Sequence, residues 1–195
     1  MKKGDFGYIE NRKKHSVLLA AAMLVLILAI YFIALAYFKT NQNFFSIAAA
    51  LLCLPEGKLV INMIMFLRAK GCSAQLHENI LKAFEESGTE KSGQEKAQAY
   101  DLYLTTYSKN FQLSHLCARG SHVIAVTEDP QCDLKEGEQH IRRMLQSNGF
   151  HGYSVKIFRD AKQYVNRIPA VFEEAGTAEE NSQKGILSLI KAISL

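Results

Sequence analysis

The chain has 195 residues, with 23 Lys and Arg against 19 Asp and Glu, for a formal net charge of +4. Residues 1–71 hold nine of the basic and three of the acidic side chains, whereas residues 72–195 hold fourteen and sixteen. The positive charge therefore belongs to the flanks of an apolar N-terminal region. The slightly acidic remainder presents no electrostatic footprint for nucleic acid, and no nucleic-acid partner is expected.

Residues 1–16 read as a basic tail, with Lys2, Lys3, Arg12, Lys13 and Lys14. Val17 to Phe38 then gives 22 residues without a charge or a proline. As a helix rising about 1.5 Å per residue, this run spans roughly 33 Å, the thickness of a bilayer core. A cleaved signal peptide is the rival, since Ala34-Leu35-Ala36 has the small-residue form of a cleavage site. The run exceeds a signal h-region, however, and bulky Tyr37 and Phe38 follow, so an uncleaved anchor is predicted.

Phe44 to Leu67 is a second apolar stretch, interrupted near its centre by Pro55, Glu56, Gly57 and Lys58. A charge at bilayer mid-depth costs roughly 3 kcal/mol on insertion scales, so the interruption calls for compensation. The leading expectation is a kinked second span whose Lys58 snorkels or faces a neighbouring helix. In one alternative, Phe44 to Leu54 only dips in and Leu59 to Leu67 lies along an interface. In the other, Glu56 and Lys58 belong to a proton or ion path, which two helices can wall only in an oligomer. Glu56 and Lys58 are two apart and point to different sides of a straight helix, so pairing them requires a local break.

Basic side chains before the first span, with Arg68 and Lys70 after the second, favour the cytoplasm for both flanks. The connection Thr40 to Asn43 is uncharged. An integral membrane protein, in the plasma membrane and with both termini cytoplasmic, is the expectation. If the second segment does not cross, the domain lies outside instead. Four cysteines (Cys53, Cys72, Cys117 and Cys132) in unlike contexts do not form a disulfide framework, which agrees with a reducing compartment.

Residues 68–98 are expected to form a juxtamembrane helix and a polar linker. Ser73 caps the helix, with an apolar stripe at Leu76, Ile80, Leu81 and Phe84, and residues 88–96 read as a flexible loop. The soluble domain is predicted at 99–195. Its first strand carries Tyr100, Leu102, Leu104 and Thr106 on one face, and a turn at Ser108-Lys109-Asn110 leads to a second. There Phe111, Leu113, His115 and Cys117 alternate. A turn at Arg119-Gly120-Ser121 opens a third strand, His122 to Thr127, completing an antiparallel meander.

Asp133 and Glu136 stand at capping-box spacing before a helix closed at Asn148-Gly149. Tyr153, Val155 and Ile157 mark a fourth strand. Asp160 caps a helix that Pro169 is expected to limit or kink. Thr177 and Glu180 repeat the capping box before a last helix, whose stripe of Ile186, Leu189, Ile190 and Ile193 predicts docking on the sheet; binding of that stripe to a partner or a membrane surface is the alternative. The fold class expected is thus a membrane α-helical hairpin plus a C-terminal α+β domain, with a small four-stranded, mostly antiparallel sheet packed by helices.

The order helix, three strands, helix, strand, helix is similar to the core of restriction-endonuclease-like nucleases, a resemblance of element order alone. It implies an acid on one strand and an acid-x-lysine pair on the next, holding a divalent metal. Here the strands read Phe-Gln-Leu-Ser-His-Leu-Cys and His-Val-Ile-Ala-Val-Thr, and Glu128-Asp129 follow the strand without a lysine. That chemistry is therefore not expected.

His115, Cys117, His122 and Cys132 have zinc-ligand side chains, but no second pair stands at finger spacing, and no metal or other cofactor is expected. Cys117 with His122 lacks an orienting third group for nucleophilic catalysis. Glu128, Asp129 and Asp133 cluster between a strand end and a helix start, where turn formation and capping account for them. No Walker, dinucleotide, HExxH or GxSxG motif occurs. The surface candidates are accordingly His115, Cys117, His122, Glu128 and Asp129, and the intramembrane ones are Glu56 and Lys58. The function expected is tethering of a cytoplasmic interaction or regulatory domain, with the bilayer and either a protein partner or self-association through the helices. A membrane-anchored enzyme using small molecules or a metal is the alternative.

Overall fold

A computed structural model describes residues 1–40, 43–86, 98–106, 109–175 and 180–195. The expected loop at 88–96, Ser108 of the first hairpin turn and Thr177 of the last capping box lie outside the described residues. Two compact units are present: Ile9–Ala69, and a second formed by Met1–Tyr8 together with Lys70–Leu195.

The first unit is a helical hairpin. Helix α1 (Tyr8–Phe38) begins nine residues ahead of the uncharged run, and an ion pair between Glu10 and Lys13 at 2.7 Å steadies its charged first turns. Helix α2 (Phe44–Arg68) is capped by Asn43, whose side chain accepts from Ser46 N at 2.8 Å. Pro55 lies inside α2, so the proline does not end it.

Ala20, Ile27 and Ala34 of α1 are buried at intervals of seven, as are Ala49 and Glu56 of α2. Small residues at heptad spacing form the seam along which two antiparallel helices approach. Only 17% and 11% of the two apolar windows are buried, which separates them from core helices of a water-soluble protein. Exposed Leu18, Val25, Ile33, Phe44 and Leu54 give the hairpin an apolar surface of the kind a bilayer would cover. Both helices are long and apolar enough to cross a bilayer.

The second unit is a four-stranded mixed sheet between two helical layers. Its elements are α3 (Ala74–Glu86), β1 (Gln98–Thr105), β2 (Asn110–Arg119), β3 (His122–Val126), α4 (Leu134–Ser147), β4 (Ser154–Phe158), α5 (Ala161–Ala175) and α6 (Glu180–Ile193). The strand order is β1-β2-β3-β4; the first two pairings are antiparallel, and β4 joins parallel to β3 after α4. The expected sheet, mostly antiparallel and packed by helices, is the one observed.

Helices α4 and α6 cover one face with Ile141, Leu145, Ile186 and Ile190. Helices α3 and α5 cover the other with Ile80, Phe84, Tyr164 and Ile168. The apolar stripe of α6 is thus consumed by the sheet, which overturns the alternative of a free partner- or membrane-binding stripe. Asp133 caps α4, accepting from Glu136 N at 3.2 Å, and Gly149 (φ +86°) follows its end. Pro169 does not limit α5, which continues to Ala175 with Ile168 and Val171 fully buried. Burial on both sides of the proline outweighs one lost helical hydrogen bond.

One expectation about the strands is corrected. Leu102 and Leu104 face α4 and α6 with Ala99, but Tyr100 faces α3 and α5. Phe111 and Leu113 likewise face one way and Cys117 the other. The change of phase falls at Asp101, which adopts φ +55° in mid-strand, opposite Ser114. A left-handed residue rotates the strand about its axis, so the period-two pattern resumes on the other face.

Candidate functional site

The rotation at Asp101 gathers polar side chains under α3 and α5. His115 is fully buried. Its Nδ1 lies 2.6 Å from the Tyr164 hydroxyl and its Nε2 3.2 Å from Gln98 Oε1. The Tyr100 ring is tilted against it at 4.3 Å, and Phe84 meets it edge-on at 6.1 Å. His115 and Cys117 do share this face of β2, two residues apart on an extended strand.

The electrostatics of the group are those of a closed interior. Burial, reinforced by nearby His77, lowers His115 to about 3, so its ring is neutral. Burial raises Cys117 to about 12 against the opposing pull of Arg119. Cys72 is also raised to about 12, by burial and then by Glu128 and Asp101. Tyr100 and Tyr164 are both raised, chiefly by burial. A buried thiol held protonated at neutral pH is a poor nucleophile. Among the described residues, no three His, Cys, Asp or Glu side chains are placed to hold a metal ion.

The other sequence candidates stand apart from this cluster. Val126 pairs with His115, whereas His122 lies four residues away at the other end of β3, about 13 Å along the strand. There its Nε2 is 3.5 Å from Glu174, which also takes both nitrogens of Arg167 at 2.9 and 2.8 Å. Asp129 Oδ1 accepts from Gln131 N at 3.0 Å and shapes the turn before α4.

Glu128 has a different task. Its carboxylate accepts from Ser73 N at 2.9 Å, and its own N–H donates to Ser114 Oγ at 3.3 Å. It is one of three side chains that hold the segment leaving α2. Asp101 accepts from Cys72 N at 2.7 Å; Gln112 accepts from Lys70 N at 3.0 Å and donates to Lys70 O at 2.7 Å. Ser73 Oγ then caps α3 through Leu76 N. The backbone of residues 70–73 is therefore fastened to β1, to β2 and to the residues following β3.

The segment preceding α1 is fastened to the same unit. Gly4 O accepts from Tyr100 N at 2.9 Å, adding a backbone bond at β1, and Lys3 Nζ donates to Ser194 O at 2.8 Å. Phe6 stacks on His77 at 3.9 Å and meets Tyr100 edge-on at 5.9 Å. Gly4 has φ +89°, and a Cβ there would stand 2.3 Å from Lys191 Cε. Only glycine suits that position. This arm escaped the sequence reading because Gly4-Asp5-Phe6-Gly7 lacks periodicity; its signal was an aromatic between glycines in an otherwise charged tail. Asp101, Gln98 and Tyr164 were missed too, and an acid between Tyr100 and Leu102 was the sign available.

In the hairpin unit, Glu56 is 8% exposed and Lys58 is exposed. They are not paired, and Glu56 Oε2 has no hydrogen-bond partner among the described residues. No family model matches the chain, and neither the curated proteins nor the solved structures give a match.

Proposed function

We propose that the chain is a two-span membrane protein of the plasma membrane that holds an interaction or regulatory domain at the cytoplasmic face. The observation that carries this reading is the arm. Residues 3–6 precede α1, yet they are bonded and stacked into the unit that contains everything after Lys70. A chain whose two ends meet in one folded unit crosses a bilayer an even number of times. With Lys and Arg flanking the start of α1 and the end of α2, that common side is the cytoplasm.

The closed interior supports interaction rather than catalysis. Its thiols and imidazole are neutral and buried, and Glu128 and Asp129 are engaged by backbone N–H groups. What the domain offers to others is its outer surface, presented to protein partners beside the membrane.

The test is labelling with a membrane-impermeant maleimide. Cys132 is buried and reports poorly, so cysteines introduced by Ser147→Cys on the exposed end of α4 and by Asn41→Cys in the connection are the probes. Intact cells should label N41C and spare S147C, and inside-out vesicles should reverse the pattern. Labelling of S147C in intact cells would overturn the orientation.

A further inference from the structure

The hairpin treats its two central charges unequally. Glu56 is turned into the seam with α1, while Lys58 stands on the open side of α2 and makes no hydrogen bond or ion pair among the described residues. Leu54, Gly57, Lys58 and Ile61 are spaced i, i+3, i+4, i+7 and form one face, with Leu54 74% and Ile61 60% exposed. A Cβ built on Gly57 meets nothing within 4 Å, so the helix surface beside the lysine is open and carries no side chain there.

Depth makes this lysine anomalous. Lys58 is fourteen residues from Phe44 and ten from Arg68, roughly 21 and 15 Å along the axis. A lysine side chain reaches only about 6 Å, so snorkelling from an upright helix attains neither interface. An ammonium left there in lipid is costly, and a carboxylate is its natural complement. A second copy cannot supply one: Glu56 is the sole acid between residues 11 and 71, and it is buried in its own hairpin.

We propose that the Leu54–Ile61 face of α2 is a docking surface for a transmembrane helix of a different protein, one carrying an aspartate or glutamate near mid-depth that pairs with Lys58. Leu54 and Ile61 supply apolar contact on either side of the pair, and the missing side chain at Gly57 lets the partner backbone approach closely. The proposal rests on α2 spanning the bilayer.

The probe is a synthetic leucine-alanine transmembrane peptide with one central aspartate, compared with versions carrying leucine at that site. Full-length protein and peptide are labelled for energy transfer in phosphatidylcholine vesicles at mildly alkaline pH. Wild-type protein should bind the aspartate peptide about tenfold better than the leucine peptide. Lys58→Leu should abolish that preference, and Glu56→Gln should leave it intact. Equal preference in K58L, no preference in the wild type, or loss of preference in E56Q overturns the proposal. Carbonate extraction of the vesicles separates the two layers of argument: protein released by carbonate defeats the membrane reading itself, whereas protein retained without aspartate preference defeats only the docking surface.

Discussion

His115 Nδ1 and the Tyr164 hydroxyl lie 2.6 Å apart, joining β2 to α5 through two side chains with no exposed surface. This contact is a fully buried polar fastening between the sheet and its α3/α5 layer. Tyr164→Phe strands the imidazole nitrogen and should cost about 1–3 kcal/mol. Combined with His115→Leu, the loss should be smaller than the sum of the single losses. Urea unfolding of the full chain in detergent, arranged as a double-mutant cycle, measures this.

The same histidine makes the domain less stable in acid. Its folded value of about 3 lies below its ordinary 6.5, so between those values the unfolded chain binds a proton that the folded chain does not. Stability is therefore fully present above about 6.5 and falls as pH drops toward 3, by up to about 1.4 kcal/mol per pH unit. H115L should flatten this slope in melts recorded across that range. An unchanged slope would show that other groups govern acid unfolding.

At the alkaline end the thiols act in the opposite sense. Cys72 and Cys117 are raised from 9.0 to about 12, so the folded chain keeps protons that the unfolded chain sheds. Stability is present below about 9 and is lost as pH rises toward 12. At neutral pH neither thiol should react with Ellman's reagent until the domain unfolds, and rapid labelling of Cys117 in native protein would contradict its burial.

Asp101 combines a left-handed backbone with an acceptor for Cys72 N. Asp101→Asn preserves both and should be mild. Asp101→Gly keeps the backbone and loses the bond, at about 1.5–3 kcal/mol, and Asp101→Val should add about 1–2 kcal/mol of strain. Thermal melts ranking the variants N, G, V from most to least stable would support this; equal melts for G and V would remove the backbone part of the account.

Gly4→Val places a side chain where Lys191 already stands and where φ is +89°. The arm should lift from β1, and the Tyr100 amide should lose hydrogen-exchange protection, while amides of β3 keep theirs. Phe6→Ala should act in the same direction more weakly.

Most of the fold was legible because its elements are short, amphipathic and marked at their ends: Asp133 with Glu136, Asn148-Gly149, and the α6 stripe. Pattern failed where one residue outweighed it. The alternation from Tyr100 to Leu104 runs on through Asp101, so its apolar pattern hides the turn of the strand there, and Pro169 breaks an isolated helix more readily than one fixed by Ile168 and Val171. The candidate residues were mostly real features with other tasks. His115 and Cys117 do share a face, but burial silences them, and Glu128 serves the segment leaving α2. Those tasks depend on partners 42 to 55 residues away in sequence, such as Lys70 for Gln112 and Ser73 for Glu128, which no local pattern encodes.

The bond from Tyr100 N to Gly4 O also imposes an order in time. The acceptor is synthesised before either apolar helix and the donor only after both. The arm can therefore reach β1 only after both apolar helices have been synthesised. If one helix failed to cross, Gly4 and Tyr100 would be stranded on opposite sides of the bilayer. Completion of the domain would then exclude a chain in which only one of the two helices had crossed.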